Sequence, residues 1–219
     1  LREYPSIHLH THLSENKEEI NWVNSLFPDC KSYLNVYEHA GLLRRRSTLA
    51  HCLHLTETDW KILRDKECSV AFCPSSNLFL GSGLFDLPRA QAVDVNVGIG
   101  TDVGAGTSLS ILQTISDAYK TQRLAGSDLS PFSALYMATL GGAKSLDCEA
   151  DIGNFKIGKE ADFIVLDPES TPIMKYRTQH CESLQEMLFG IALLGDDRAV
   201  SATYANGQCV HRRDSDEKV

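Results

Sequence analysis

Four short apolar runs, at 6–13, 47–51, 69–73 and 95–101, alternate with amphipathic stretches along the first half of the chain. No other feature constrains the fold as much. A strand, a helix and another strand of the same sheet imply parallel pairing, with right-handed crossovers by default. In the first run Ile7, Leu9, Thr11 and Leu13 alternate with His8, His10 and His12. That period of two puts the three histidines on one strand face.

The stretches between the runs read as helices. One is expected over 16–27, with Ser14 as N-cap and Pro28 as stop, and another over 31–43. Thr56 should cap a helix ending at Lys66, and further helices are expected over 85–93 and 108–124. The segment 73–83 is rich in Ser, Asn and Gly and reads as a loop. One or two helices should fill 130–146, interrupted at Gly141-Gly142. The character then changes. A strand is expected over 161–166, a helix over 184–194, and a hairpin of 200–204 and 208–211 about the turn Asn206-Gly207. Two domains follow: residues 1–147 as part of a barrel, and 148–219 as helices and β segments of a small β domain.

The 219 residues suffice for this arrangement, and no 18-residue apolar run could span a membrane. A net charge of -8 argues against nucleic acid, which requires a basic face. Arg212-Arg213 is followed at once by Asp214, Asp216 and Glu217 and makes no basic patch. Seven cysteines without a C-x-x-C pair read as reduced, buried thiols of a cytoplasmic protein.

The chemistry-bearing residues stand at the ends of the apolar runs. His12 precedes Glu15 by three residues, His51 closes the second run, and Asp102 follows the fourth. A His and an Asp could hold a divalent metal, which lowers the pKa of water toward ~7. A carboxylate such as Glu15 could then carry protons to a leaving amine or ring nitrogen. His51 could orient the attacking oxygen or stabilise charge on the tetrahedral centre. Each residue also has a plain alternative: His12 as a hydrogen-bonded barrel histidine, Asp102 as a helix N-cap, Asn77 as a loop-bonding residue. H-x-H on a strand could also supply two ligands. Same-face positions lie at different depths, however, so His8 and His10 are expected to fill the interior while His12 reaches the rim.

The strings HLHTHLSEN (8–16), LAH (49–51), CPSSNLFLGSG (73–83), GTDVGAG (100–106), ATLGGAKSL (138–146) and IGNFKIGKEADFIVLD (152–167) resemble the amidohydrolase superfamily, in its nucleobase aminohydrolase branch. They run in the family's order across most of the chain. The resemblance implies an α/β fold: strands five to eight of a TIM-type (β/α)8 barrel, then helices and part of a small β-sandwich. It implies Zn2+, one per active site, with Fe2+ as the alternative, held by His12 and Asp102. It further implies Glu15, His51 and Asp102 as catalytic residues, and the same three with His12 as the substrate contacts. The implied reaction is hydrolytic deamination of guanine to xanthine and ammonia, in purine catabolism. The implied partners are the small-molecule substrate and a second copy in a homodimer, with neither nucleic acid nor membrane. The alternatives are deamination of a cytosine, triazine or methylthioadenosine type of substrate, or a catalytically silent half-barrel.

One departure stands beside these likenesses. The family's H-x-H pair and its purine-gripping Arg-Phe segment should lie well upstream of the H-x-x-E motif, and only eleven residues precede His12. The chain alone is therefore expected to lack a complete metal site. It should also leave unpaired sheet edges at 6–13 and 95–101.

Overall fold

The computed structural model describes residues 3–4 and 6–213. Among these, the first unit runs β1 (Leu9–Leu13), α1 (Lys17–Leu26), α2 (Tyr33–His39), β2 (Ser47–His51), α3 (Glu57–Asp65) and β3 (Ser69–Phe72). It continues through α4 (Pro74–Phe79), α5 (Leu87–Ala92), β4 (Val97–Ile99), α6 (Ile111–Leu124), α7 (Pro131–Ala138) and α8 (Leu140–Ser145). Then follow β5 (Phe163–Leu166), α9 (Pro172–Thr178), α10 (Leu184–Leu194), β6 (Val200–Ala205) and β7 (Gln208–Arg212).

The first sheet has the sequential order β1-β2-β3-β4, and every pair is parallel. The edges are therefore β1 and β4, as the sequence implies. All five residues of β2 are buried. Leu13, Leu49, Val70, Phe72 and Val97 from the strands pack with Leu34, Trp60, Leu63, Phe85 and Ile115 from the helices and loops. Each such side chain contributes roughly 1.5–3 kcal/mol of burial free energy. On β1 the alternation places Leu13 in this core and leaves His10 and His12 exposed. The expectation that His8 and His10 fill an interior is not met here, because nothing among the described residues covers that face of the edge strand; both are exposed.

Several local expectations need correction. Asn16, not Ser14, caps α1, its side-chain oxygen accepting the Glu19 N–H at 2.8 Å. Ser14 instead sits in a left-handed turn, with φ 50°. Helix α2 is shorter than 31–43. The supposed loop after Cys73 contains α4, with Pro74 in its first turn, where a missing N–H costs nothing. The break between α7 and α8 falls at Thr139 rather than at the glycine pair. Gly141 lies inside α8 because the helix packs so close to β4 that a Cβ there would meet the Val97 carbonyl oxygen at 2.9 Å. Helix α9 was not expected at all.

The second sheet has the antiparallel order β5-β6-β7. Its hairpin turns at Asn206-Gly207, both with positive φ, as the type of turn requires. A small core of Leu112, Met174, Ile191 and Ala199 joins it to α6, α9 and α10. The acidic residues Asp214, Asp216 and Glu217 lie outside the described residues. No helix among the described residues is long and apolar enough to cross a membrane.

Candidate active site

Parallel strands deliver their C-terminal ends to one rim, the usual place for a site on such sheets. His12 is the penultimate residue of β1, His51 the last of β2, and Asp102 follows β4 by three. The register sets Leu13 beside His51 and Phe72 beside Ile99, so these ends lie level. His51, Cys52 and Asp102 all take left-handed backbone, with φ 70°, 54° and 49°. For residues with a Cβ this costs of order 1 kcal/mol each, and it turns their side chains out of the strand path. The Asp102 turn is closed by the Gly106 N–H donating to the Asp102 carbonyl at 2.6 Å. A Cβ at Gly106 would fall 1.7 Å from the Thr101 carbonyl oxygen, so only glycine closes this turn.

These turns bring the sequence-nominated residues together. One ligand-type atom from each of His12, His51 and Asp102 lies within 4.8 Å of the other two. The His12 and His51 rings stack with centroids 5.3 Å apart. Glu15 Oε2 lies 3.7 Å from His51 Nε2, and Asp102 Oδ2 lies 3.8 Å from the same atom. His51 is only 1% exposed, and its Nε2 has no hydrogen-bond partner among the described residues. Donors about 2.0–2.2 Å from one ion lie at most about 4.4 Å apart, so a small side-chain adjustment would close this set around a divalent metal. Imidazole nitrogens and a carboxylate oxygen are the donor types zinc takes, and the orphaned Nε2 belongs to the same cluster.

The surrounding shell was less legible in the sequence. His51 Nδ1 is 2.8 Å from Asn77 Oδ1, and Glu15 Oε1 accepts from the Ser82 hydroxyl at 3.1 Å. The Tyr37 hydroxyl donates to the His12 carbonyl at 2.9 Å and lies 3.2 Å from Tyr33 Oη. Tyr33 in turn donates to Glu19 Oε1, while Glu19 Oε2 accepts the Glu15 N–H. Burial, then Tyr37 and Glu19, pushes the Tyr33 phenol well up, so it stays a donor. Glu19, Tyr33 and Tyr37 lie outside the quoted strings, and Ser82 lies within one without a role of its own; their places near His12 and Glu15 in the fold reveal them.

No cysteine belongs to the His12, His51 and Asp102 cluster. All seven are free thiols. Burial, with the Asp102 charge second, pushes the Cys73 thiol up to about 12, and burial pushes Cys68 up to about 11. Only Cys52, Cys68 and Cys73 are buried; the other four are half-buried, against the expectation of uniform burial.

The family model described as the amidohydrolase family matches residues 1–210. The guanine deaminase of Escherichia coli (strain K12) is 51% identical over 211 residues, which are 96% of this chain and 48% of that protein. A solved E. coli guanine deaminase superposes with a TM-score of 0.95 at 51% identity, covering 97% of this chain and 50% of that one. A guanine deaminase from C. acetobutylicum, solved with guanine in its active site, superposes with a TM-score of 0.81 at 29% identity, covering 93% and 48%. The chain spans about half the length of the curated relatives it matches.

Proposed function

This chain belongs to the amidohydrolase family, and from that premise we propose that the full-length protein hydrolyses guanine to xanthine and ammonia. The observation that carries the reading is the convergence of His12, His51 and Asp102 at one strand-end rim, with Glu15 against His51 Nε2. The guanine bound in the C. acetobutylicum relative supports the choice of substrate.

His12 and Asp102 would hold one zinc ion, or Fe2+, with ligands supplied from outside this sequence. Such a metal lowers the pKa of water toward ~7. Deamination forms a C–O bond at the amino-bearing ring carbon and breaks its C–N bond; one proton of water must reach the leaving amine and the other a ring nitrogen. Glu15 is placed to carry them, since Ser82 occupies one carboxylate oxygen and leaves Oε2 toward His51. His51 holds the attacking oxygen and takes part of its charge, and Asp102 accepts a proton from it. The purine ring would contact the same four side chains.

The reading includes an architecture. Strands β1 to β4 are barrel strands five to eight, residues 1–147 the partial barrel, and 148–219 part of a composite β domain. The parallel order with two open edges, and the half-length coverage of the relatives, support this. Seven free thiols fit a reducing cytoplasm. Exposed Trp22, Leu26 and Phe79 are apolar surface of the kind a homodimer covers, and light scattering on the full-length protein tests that.

The functional test is a panel assay of the full-length, metal-loaded protein against guanine, adenine, cytosine and amino-triazines. Guanine should give the highest kcat/KM, with xanthine and ammonia in equal amounts. A higher value for another amino-heterocycle, or no turnover of any, would overturn the reading.

A further inference from the structure

The segment 73–83 touches both proton-handling groups of the site from one side. Its helix α4 presents Asn77, 2% exposed, with Oδ1 at 2.8 Å from His51 Nδ1. Its last turn presents Ser82, whose hydroxyl donates to Glu15 Oε1. The two are tied to each other, because the Ser82 N–H donates to the Asn77 carbonyl at 2.9 Å. Ser82 is also tied to the strand end that carries His51: its carbonyl accepts from His54 Nε2 at 3.0 Å, three residues beyond His51. Asn77 and Ser82 thus link His51 to Glu15 through one chain of hydrogen bonds, which His54 ties back to the β2 end.

We propose that Asn77 and Ser82 are positioning residues for the deamination: Asn77 fixes His51 as the tautomer with hydrogen on Nδ1, and Ser82 holds the Glu15 carboxylate against the free Nε2. The inference rests, for its kinetic consequences, on the function proposed above. The chemistry of the contact is specific. An amide oxygen facing Nδ1 demands a hydrogen there, because two lone pairs would repel. Nε2 then carries its lone pair toward Glu15 and Asp102, and it can hold or orient a proton without disturbing the bond to Asn77. The opposite amide orientation, with Nδ2 donating to Nδ1, would leave hydrogen on Nε2 and no lone pair there. Asn77 Nδ2 has no hydrogen-bond partner among the described residues, so the amide orientation is set by its contact with His51 alone. The general pattern, a second residue setting which ring nitrogen of a histidine is free, governs both metal and acid–base sites.

The test uses the full-length protein and has two arms. In the first, long-range proton–nitrogen NMR on histidine-labelled protein reads the His51 tautomer directly, assigned by difference with His51→Gln. Hydrogen on Nδ1 is expected; hydrogen on Nε2 would overturn the proposal, whatever the substrate. In the second, Asn77→Asp keeps an acceptor and cannot donate, whereas Asn77→Leu keeps the size and loses both. Asn77→Leu should lower kcat by about 10–100-fold with KM within about twofold, the usual scale for removing such a partner. Asn77→Asp should recover most of the loss, and Ser82→Ala should cost about 3–10-fold in kcat. Asn77→Asp falling as far as Asn77→Leu would overturn the acceptor role. Should Asn77→Leu fail to fold, Asn77→Asp and the NMR arm still decide. Absence of guanine turnover in the wild type would defeat the functional reading and leave the tautomer result standing on its own.

Discussion

Strand β2 buries all five of its side chains, whereas β7 half-buries Cys209 and exposes the other four. The two belong to sheets built on opposite principles. In the parallel sheet, helices return each strand to its neighbour and cover one face, so the candidate site is confined to the strand ends. That confinement is what gathers His12, His51 and Asp102 at one rim. In the antiparallel sheet, β6 and β7 meet through a two-residue turn and need no covering helix. Their polar groups are spread along the strands, as with His211 and Arg212, and converge on no centre among the described residues. Core and site therefore come from the same topological fact in the first unit, and the second unit shows what a sheet lacks without it.

Substitutions that break this contrast should differ most in activity. In the full-length protein, Asp102→Ala should lower kcat by roughly 10³-fold or more and release bound metal, since it removes the proposed ligand and proton acceptor at once. His211→Ala, on β7, should leave kcat within about twofold. Steady-state kinetics with metal analysis checks both. Equal losses would mean that the rim is not the site.

Stability should divide the same way. Leu49→Ala empties a fully buried position of β2 and should cost about 2–5 kcal/mol. Ile164→Ala, on the half-exposed β5, should cost less than about 1 kcal/mol. Urea unfolding midpoints measure the difference, and similar costs would show that β5 is covered in the full-length protein.

The smallest effect concerns an ion-pair cluster at the end of the first unit. Arg46 and Arg45 both pair with Asp147, and Arg45 also with Glu149. The Arg46 hydrogen bond, followed by Arg45, holds the Asp147 carboxyl below its ordinary value. A depressed carboxylate stabilises the fold fully above its unfolded value of about 4 and loses that contribution as pH falls through the lowered one. The arginines are half-exposed and screened by solvent, so Asp147→Asn should cost less than about 1 kcal/mol at neutral pH. The difference from wild type should vanish in strong acid. A difference that persists there would assign the effect to packing instead.

How much of this could be read from the sequence depends on what holds each element. The limits of β2, α3 and α10 were legible because their apolar periodicity and caps agree with tertiary packing; Thr56 forms a full capping box with Asp59. Helix α4 was not legible, because Pro-Ser-Ser-Asn has weak helix propensity and is fixed by what Asn77 and Ser75 bond across the fold. Gly141-Gly142 reads as a break, yet it serves close packing on β4. For the site, the order of His12, His51 and Asp102 at strand ends was legible. Their approach to within 4.8 Å depends on left-handed turns at His51 and Asp102, which no local propensity announces. Ser82 reaches Glu15 across 67 residues, a contact invisible until the chain is folded.

The central claim is that Glu15 moves protons at a metal rim formed by His12, His51 and Asp102. It is tested most directly by Glu15→Gln in the full-length protein, with metal content and single-turnover guanine hydrolysis measured on one preparation. The variant should keep its metal and lose roughly 10²–10⁴-fold in the chemical step, the scale of a positioned acid–base group. Turnover within a fewfold of wild type, with metal retained, would contradict the claim.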